Sequence, residues 1–165
     1  MDQFYDQKTN SIRPDRPFLL ITSSSWSLDD DFGMLLKSLQ LLNPRVAVER
    51  PIICIMTGKG PGKQLFIEKI EKSENLSNIR FKFPYLSAED YVKILSASDL
   101  GVSLHFSSSG IDLPIKVVDM FGAGLPVLAY NYKAIDELVR EDFNGEIFSN
   151  SEVILLSDSY FYSFF

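Results

Sequence analysis

Residues Asp99 to Tyr130 read DLGVSLHFSSSGIDLPIKVVDMFGAGLPVLAY, and their order of apolar and polar segments decides the fold. Asp99 to Leu104 is a short apolar run with the composition of a buried strand. The hydroxyl-rich segment from His105 to Pro114 cannot extend that strand and reads as a long loop. Pro114 suits a first helical turn, where its missing N–H costs nothing, and a helix to about Gly122 follows. Leu125 to Tyr130 is apolar again and too short for a helix. Strand, loop, helix, strand is a βαβ unit, which requires two parallel strands and a crossover helix packed on them.

The same alternation extends in both directions. Upstream, Phe18 to Thr22 is a strand and Ser23-Ser-Ser-Trp26 a turn. A helix is expected next, with Ser27 as N-cap, Asp30 as the capping-box partner, and Asp29 to Asp31 favouring the positive helix end. Phe32, Leu35, Leu36, Leu39 and Leu42 recur at helical spacing and give it an apolar face. Ile52 to Thr57 is a strand, Gly58-Lys-Gly-Pro-Gly62 a tight loop, and Lys63 to Lys72 a helix carrying Leu65, Phe66, Ile67 and Ile70. Ile79 to Phe83 is a strand stopped by Pro84, and Ser87-Ala-Glu-Asp90 opens a helix through Tyr91, Ile94 and Leu95 to about Ala97. Downstream come a short helix at Ile135 to Val139, the turn Asn144-Gly145 and a strand at Glu146 to Phe148. The expected fold is α/β: a Rossmann-like parallel sheet with helices on both faces.

Residues 1–17, with Pro14 and Pro17, read as an entering linker rather than a strand or helix, and residues 18–150 as the domain. Ser149 to Glu152 resembles a helix start. The aromatic ending through Phe165 has no helical period and reads as a truncated or altered tail, with a peripheral strand as the other reading.

A chain of 165 residues supports one compact domain. Its 22 acidic and 16 basic residues give a net charge of -6, and the basic ones are scattered. That excludes the clustered Lys/Arg surface of a nucleic-acid binder. The single cysteine, Cys54, lies in an apolar run, so it reads as a small buried hydrophobe in a reducing, cytosol-facing setting. No run reaches the length of a membrane span, and the polar, acidic start does not read as a signal peptide.

Ligands of parallel sheets bind at the carboxyl ends of the strands, so the strand-to-helix loops are the places to look for chemistry. Thr22 to Trp26, including Ser24, offers hydroxyls and N–H groups at the mouth of a helix, where an anion is favoured; it also reads as a plain capping turn. Gly58 to Gly62 carries Lys59 and lets a backbone come close, although it lacks the Walker spacing and equally reads as a tight connection. The third loop holds His105, Ser107, Ser108, Ser109 and Gly110 and leads into Lys116 and Asp119. Serine groups before a helix N-terminus can cradle a diphosphate, Lys116 can offset its charge, and Asp119 can accept from a ribose diol. Spaced three apart on one helix face, Lys116 and Asp119 also read as a surface ion pair.

Taken together, Ser107 to Val127 resembles the signature of the chitobiosyldiphosphodolichol beta-mannosyltransferase family. So do Ser23-Ser-Ser-Trp-Ser with Asp29 to Phe32, Thr57-Gly-Lys-Gly-Pro61, Leu86 with Ala88 to Tyr91, Asp99 to Val102, and Asn144-Gly145. The resemblance spans about Phe18 to Phe148. It implies the C-terminal, donor-binding domain of a GT-B glycosyltransferase, using GDP-mannose and passing mannose with inversion to dolichol-diphosphate-linked chitobiose. It further implies the cytosolic face of the endoplasmic reticulum, no cofactor, and no tightly held metal. The donor-binding candidates are Ser24, Lys59, His105, Ser107, Ser108, Ser109, Gly110, Lys116 and Asp119. Asp119 takes the place of the acidic ribose-binding residue and Lys116 that of a phosphate-contacting lysine. The first glutamate of the retaining enzymes is absent, with the region around Asp112 in its place, which agrees with inversion. The resemblance also implies a partner N-terminal acceptor domain, which this chain lacks, or other glycosyltransferases of the pathway. Three readings are open at this point: the donor half of an enzyme, a non-catalytic nucleotide-sugar or interaction module, and an unrelated doubly wound regulatory domain.

Overall fold

The structure is a computed structural model that describes residues 5–6, 11–12, 16–27, 30–107 and 111–150. Two short strands, β1 (Tyr5–Asp6) and β2 (Ser11–Ile12), pair antiparallel with each other. The entering segment therefore carries local strand pairing where the sequence suggested none. Its end is also tied to the domain. Arg16 and Asp99 form a buried ion pair, and the same carboxylate accepts the Leu19 N–H at 2.8 Å.

The main sheet comprises β3 (Phe18–Ser23), β4 (Ile52–Thr57), β5 (Ile79–Lys82), β6 (Leu100–Ser103), β7 (Val127–Tyr130) and β8 (Gly145–Phe148). The six strands lie in the order β5-β4-β3-β6-β7-β8, and every pairing is parallel. Among the described residues, four helices cover them: α1 (Phe32–Leu42), α2 (Gly62–Glu71), α3 (Ala88–Ala97) and α4 (Ile115–Gly122). Strand alternation divides the core in two. Phe18, Leu20, Cys54 and Met56 pack with the α1 face and Phe66, whereas Leu19, Ile21 and Val127 pack with Leu95, Val117 and Met120. Cys54 lies wholly inside, and burial pushes its thiol pKa up, so it stays an inert small hydrophobe.

The sheet grows outward from β3 to β5, then returns to place β6 on the other side of β3. Chain direction around the sheet reverses between β3 and β6. The loops leaving these neighbours diverge to opposite faces, which opens a crevice at their carboxyl ends.

Local sequence misplaced one helix start. Asp31, rather than Ser27, caps α1, accepting the Met34 N–H at 3.0 Å. Asp30 takes no part in a capping box, because its carboxylate is engaged elsewhere. At α3, Ser87 caps as the sequence indicates, accepting from Asp90 N at 3.1 Å. Pro114 stands at the N-cap of α4, one position before the first turn expected for it. In α2 only Phe66 is fully buried and Leu65 is exposed. The Ile135–Glu137 segment is a 3-10 turn rather than a longer helix. The aromatic tail from 151 onward lies outside the described residues.

Candidate functional site

At the crevice lies an open cleft of about 550 Å³ lined by the serine loop after β3, Asp30, Thr57 to Lys59, Tyr91, His105 and Lys116. The serine loop is held from below. Trp26 is 1% exposed and its ring stacks on Phe32 with centroids 4.6 Å apart. Its φ of 54° is unusual for a bulky residue and turns the loop sharply over the core.

The glycine loop interlocks with this turn. Gly58 has a φ of 110°, and a Cβ there would collide with the Ser24 carbonyl oxygen; one at Gly60 would collide with that of Ser25. The Ser24 N–H donates to Thr57 O at 3.1 Å and the Gly62 N–H to Trp26 O at 3.2 Å. These glycines therefore let one loop lie against another. Lys59 stands above the exposed Tyr85 ring, 3.9 Å from its centroid, while still lining the cleft.

Asp30 organises the floor. It is 7% exposed, and its two carboxylate oxygens accept from the Ser24 hydroxyl at 2.5 Å and from Lys116 Nζ at 3.1 Å. Ser24 Oγ in turn accepts the Trp26 N–H at 2.7 Å. Lys116 thus reaches across the cleft to a residue 86 positions away and does not pair with Asp119. Its ammonium is fixed at the N-terminal end of α4, so two sources of positive potential converge there.

Asp119 is exposed and is not among the lining residues. It lies close enough to Tyr91 for its charge to be felt: burial raises the Tyr91 pKa, the Ser23 hydrogen bond lowers it, and Asp119 raises it further. Tyr91 and Ser23 share a hydrogen bond of 2.9 Å at the cleft edge. Tyr91 lines the cleft, and Asp119 is within electrostatic reach of it.

His105 follows β6, and its backbone forms an isolated antiparallel bridge with Asp30. Its Nε2 lies 2.8 Å from Asp112 Oδ2, and Asp112 also accepts from the Ser107 hydroxyl. The Tyr132 hydroxyl donates to the Asp112 carbonyl at 2.9 Å; burial and then the Asp112 charge push its pKa up to about 12, so it keeps its proton. Ser107 is buried and serves this cluster without lining the cleft, and Ser108, Ser109 and Gly110 fall outside the described residues.

Of the candidates read from sequence, the structure gathers Ser24, Lys59, His105 and Lys116 around one cleft. Sequence reasoning missed Asp30, Tyr91, Asp112 and Tyr132. Asp30 was hidden within an acidic run that helix electrostatics already accounted for, Tyr91 and Tyr132 find their partners 68 and 20 positions away, and Asp112 meets His105 and Ser107 only through the fold of the loop between them. Among the described residues, no group of three or more His, Cys, Asp or Glu is placed to hold a metal, and no helix is long and apolar enough to cross a membrane.

Comparison with known proteins agrees with this geometry. The profile of the family described as Glycosyl transferases group 1 matches residues 4–159. A chitobiosyldiphosphodolichol beta-mannosyltransferase of Mus musculus is 46% identical over 140 residues, covering 83% of this chain and 29% of that protein. The UDP-glycosyltransferase TURAN of Arabidopsis thaliana is 43% identical over 157 residues, covering 86% of this chain and 34% of that protein. The chain therefore spans about a third of the length of these curated relatives. Among solved structures, the catalytic domain of cholesterol-alpha-glucosyltransferase from Helicobacter pylori superposes with a TM-score of 0.67 at 16% identity. That match covers 89% of this chain and 87% of the other, and it shows a shared Rossmann-like fold.

Proposed function

Because this chain belongs to the group 1 glycosyl transferases, we propose that it is the nucleotide-sugar-binding half of a mannosyltransferase. The donor is GDP-mannose, and the acceptor is chitobiosyl-diphosphodolichol at the cytosolic face of the endoplasmic reticulum, with inversion at the anomeric carbon. The observation that carries this reading is Lys116, held by Asp30 in the crevice between β3 and β6 beside Ser24 and Lys59. Such a set of fixed cations and hydroxyls fits a diphosphate. The relatives named for mannosyl transfer to chitobiosyldiphosphodolichol support mannose and the lipid-linked acceptor.

The chemistry then follows from charge. As the bond from the anomeric carbon to the β-phosphate breaks, negative charge gathers on the leaving diphosphate. Lys116, Lys59 and the N-terminal end of α4 stabilise it without reorganising. In this reading a further domain holds the acceptor and the group that takes the proton of its attacking hydroxyl; the chain spans 29% of the Mus musculus relative.

Asp119 has a defined place in this reading, at the ribose. Asp119→Ala should weaken GDP binding by roughly 1.5–3 kcal/mol, the worth of hydrogen bonds to a charged group. Calorimetric titration of the folded variant checks this, and an unchanged affinity removes Asp119 from the site.

The direct test of function is transfer of labelled mannose from GDP-mannose to a chitobiosyl-diphospho-lipid. Transfer establishes the enzyme. Donor binding without transfer supports a second reading, a nucleotide-sugar-binding module without turnover.

A further inference from the structure

Besides Asp30, whose two oxygens are engaged by Ser24 and Lys116, His105 is the cleft side chain that can offer an acceptor atom without a proton of its own. Lys59 and Lys116 only donate hydrogen bonds, and serine hydroxyls donate when they face an anion. The His105 ring lines the cleft and is held by Asp112, which does not line it. Nε2 lies 2.8 Å from Asp112 Oδ2, and Asp112 is itself held by the Ser107 hydroxyl and, at its carbonyl, by Tyr132. The Tyr132 ring also stands edge-on to the imidazole, with centroids 6.1 Å apart. An ionised carboxylate only accepts, so Nε2 carries the proton in this bond. In the neutral ring, Nδ1 is then an acceptor, and it has no hydrogen-bond partner among the described residues.

Ionised diphosphate oxygens are acceptors too and cannot satisfy Nδ1. A hydroxyl can. We propose that His105, in the tautomer fixed by Asp112, accepts a hydrogen bond from a hydroxyl of the hexose carried on the diphosphate. The site thereby distinguishes a nucleotide sugar from the free nucleoside diphosphate. The inference rests on the cleft being a nucleotide-sugar site and adds to it a sugar-reading residue, His105, and a positioning residue, Asp112.

The test compares GDP with GDP-mannose on the wild-type chain and on His105→Ala, His105→Asn and Asp112→Ala. His105→Ala should lower GDP-mannose affinity roughly three- to tenfold, the worth of one hydrogen bond, and leave GDP affinity unchanged. His105→Asn restores part of the preference, because an amide oxygen can accept where Nδ1 did. Asp112→Ala loses part of it. The chain has one histidine, so its imidazole nitrogen spectrum holds a single residue's signals. It should show the Nε2–H tautomer in the wild type and a tautomer mixture in Asp112→Ala. An Nδ1–H tautomer, an equal loss for both ligands, or no loss for either overturns the inference. Failure of the wild type to bind GDP counts against the proposed function instead, and the imidazole spectrum still decides the His105–Asp112 arrangement.

Discussion

Lys116→Ala is expected to weaken GDP binding by about 1.5–3 kcal/mol, some ten- to a hundredfold, while guanosine binding stays as it was. The same change should lower the stability of the empty chain by about 3 kcal/mol, the low end for breaking a buried ion pair. The reason is Asp30. Its side chain is 4% exposed and that of Lys116 is 19% exposed, so removing the ammonium leaves a buried carboxylate with no cation. The Ser24 hydroxyl still donates to it, and the open cleft admits water, which keeps the cost low in that range. Adding Asp30→Asn to Lys116→Ala separates the two effects. The double variant should recover most of the stability and none of the GDP affinity. Urea denaturation and calorimetric titration measure these directly, and equal losses for GDP and guanosine would assign Lys116 a purely structural role.

Gly58→Ala should cost about 3 kcal/mol or more and take nucleotide binding with it. A φ of 110° is unfavourable for any residue with a Cβ, at roughly 1–2 kcal/mol. The new methyl group would also meet the Ser24 carbonyl oxygen, and forcing atoms into a packed contact adds about 1–3 kcal/mol. Relief requires moving the serine loop, which is pinned by Trp26 and is itself one wall of the cleft. Gly122→Ala is the control. Nothing lies within 4 Å of its Cβ position, at the end of α4, so that variant should be neutral or gain up to about 1 kcal/mol. A chemical denaturation midpoint for each decides the matter, and equal midpoints would contradict the interlocked-loop account.

The central strands were legible because each is a short apolar run buried on both faces, and the edge strand β5 because Ile79 and Phe81 alternate with the exposed Arg80 and Lys82. The α1 face was legible because Phe32, Leu35, Leu36, Leu39 and Leu42 all enter the core as their spacing requires. What escaped the sequence was every feature set by a distant partner. Asp30 and Asp31 are chemically identical and adjacent, yet one caps a helix while the other holds Lys116. The three-residue spacing of Lys116 and Asp119 suggested a local pair, but a buried carboxylate across the cleft competes better than an exposed one on the same helix. The glycines of residues 58–62 suggested a ligand pressed against the backbone. Their immediate cause is the neighbouring loop, against which Gly58 and Gly60 are pressed, although Gly58 and Lys59 also line the cleft. Of the apolar residues in α2, Phe66 is the one buried, and Leu65 is exposed.

The central claim, that the crevice between β3 and β6 is a GDP-mannose site, meets its most direct test in one calorimetric series on the folded chain: GDP, GDP-mannose, UDP and guanosine. The account predicts saturable one-to-one binding of GDP and GDP-mannose, weaker binding of UDP, and much weaker binding of guanosine, which lacks the diphosphate. Absence of binding by both GDP and GDP-mannose to folded protein would contradict it, as would affinity for UDP equal to or above that for GDP.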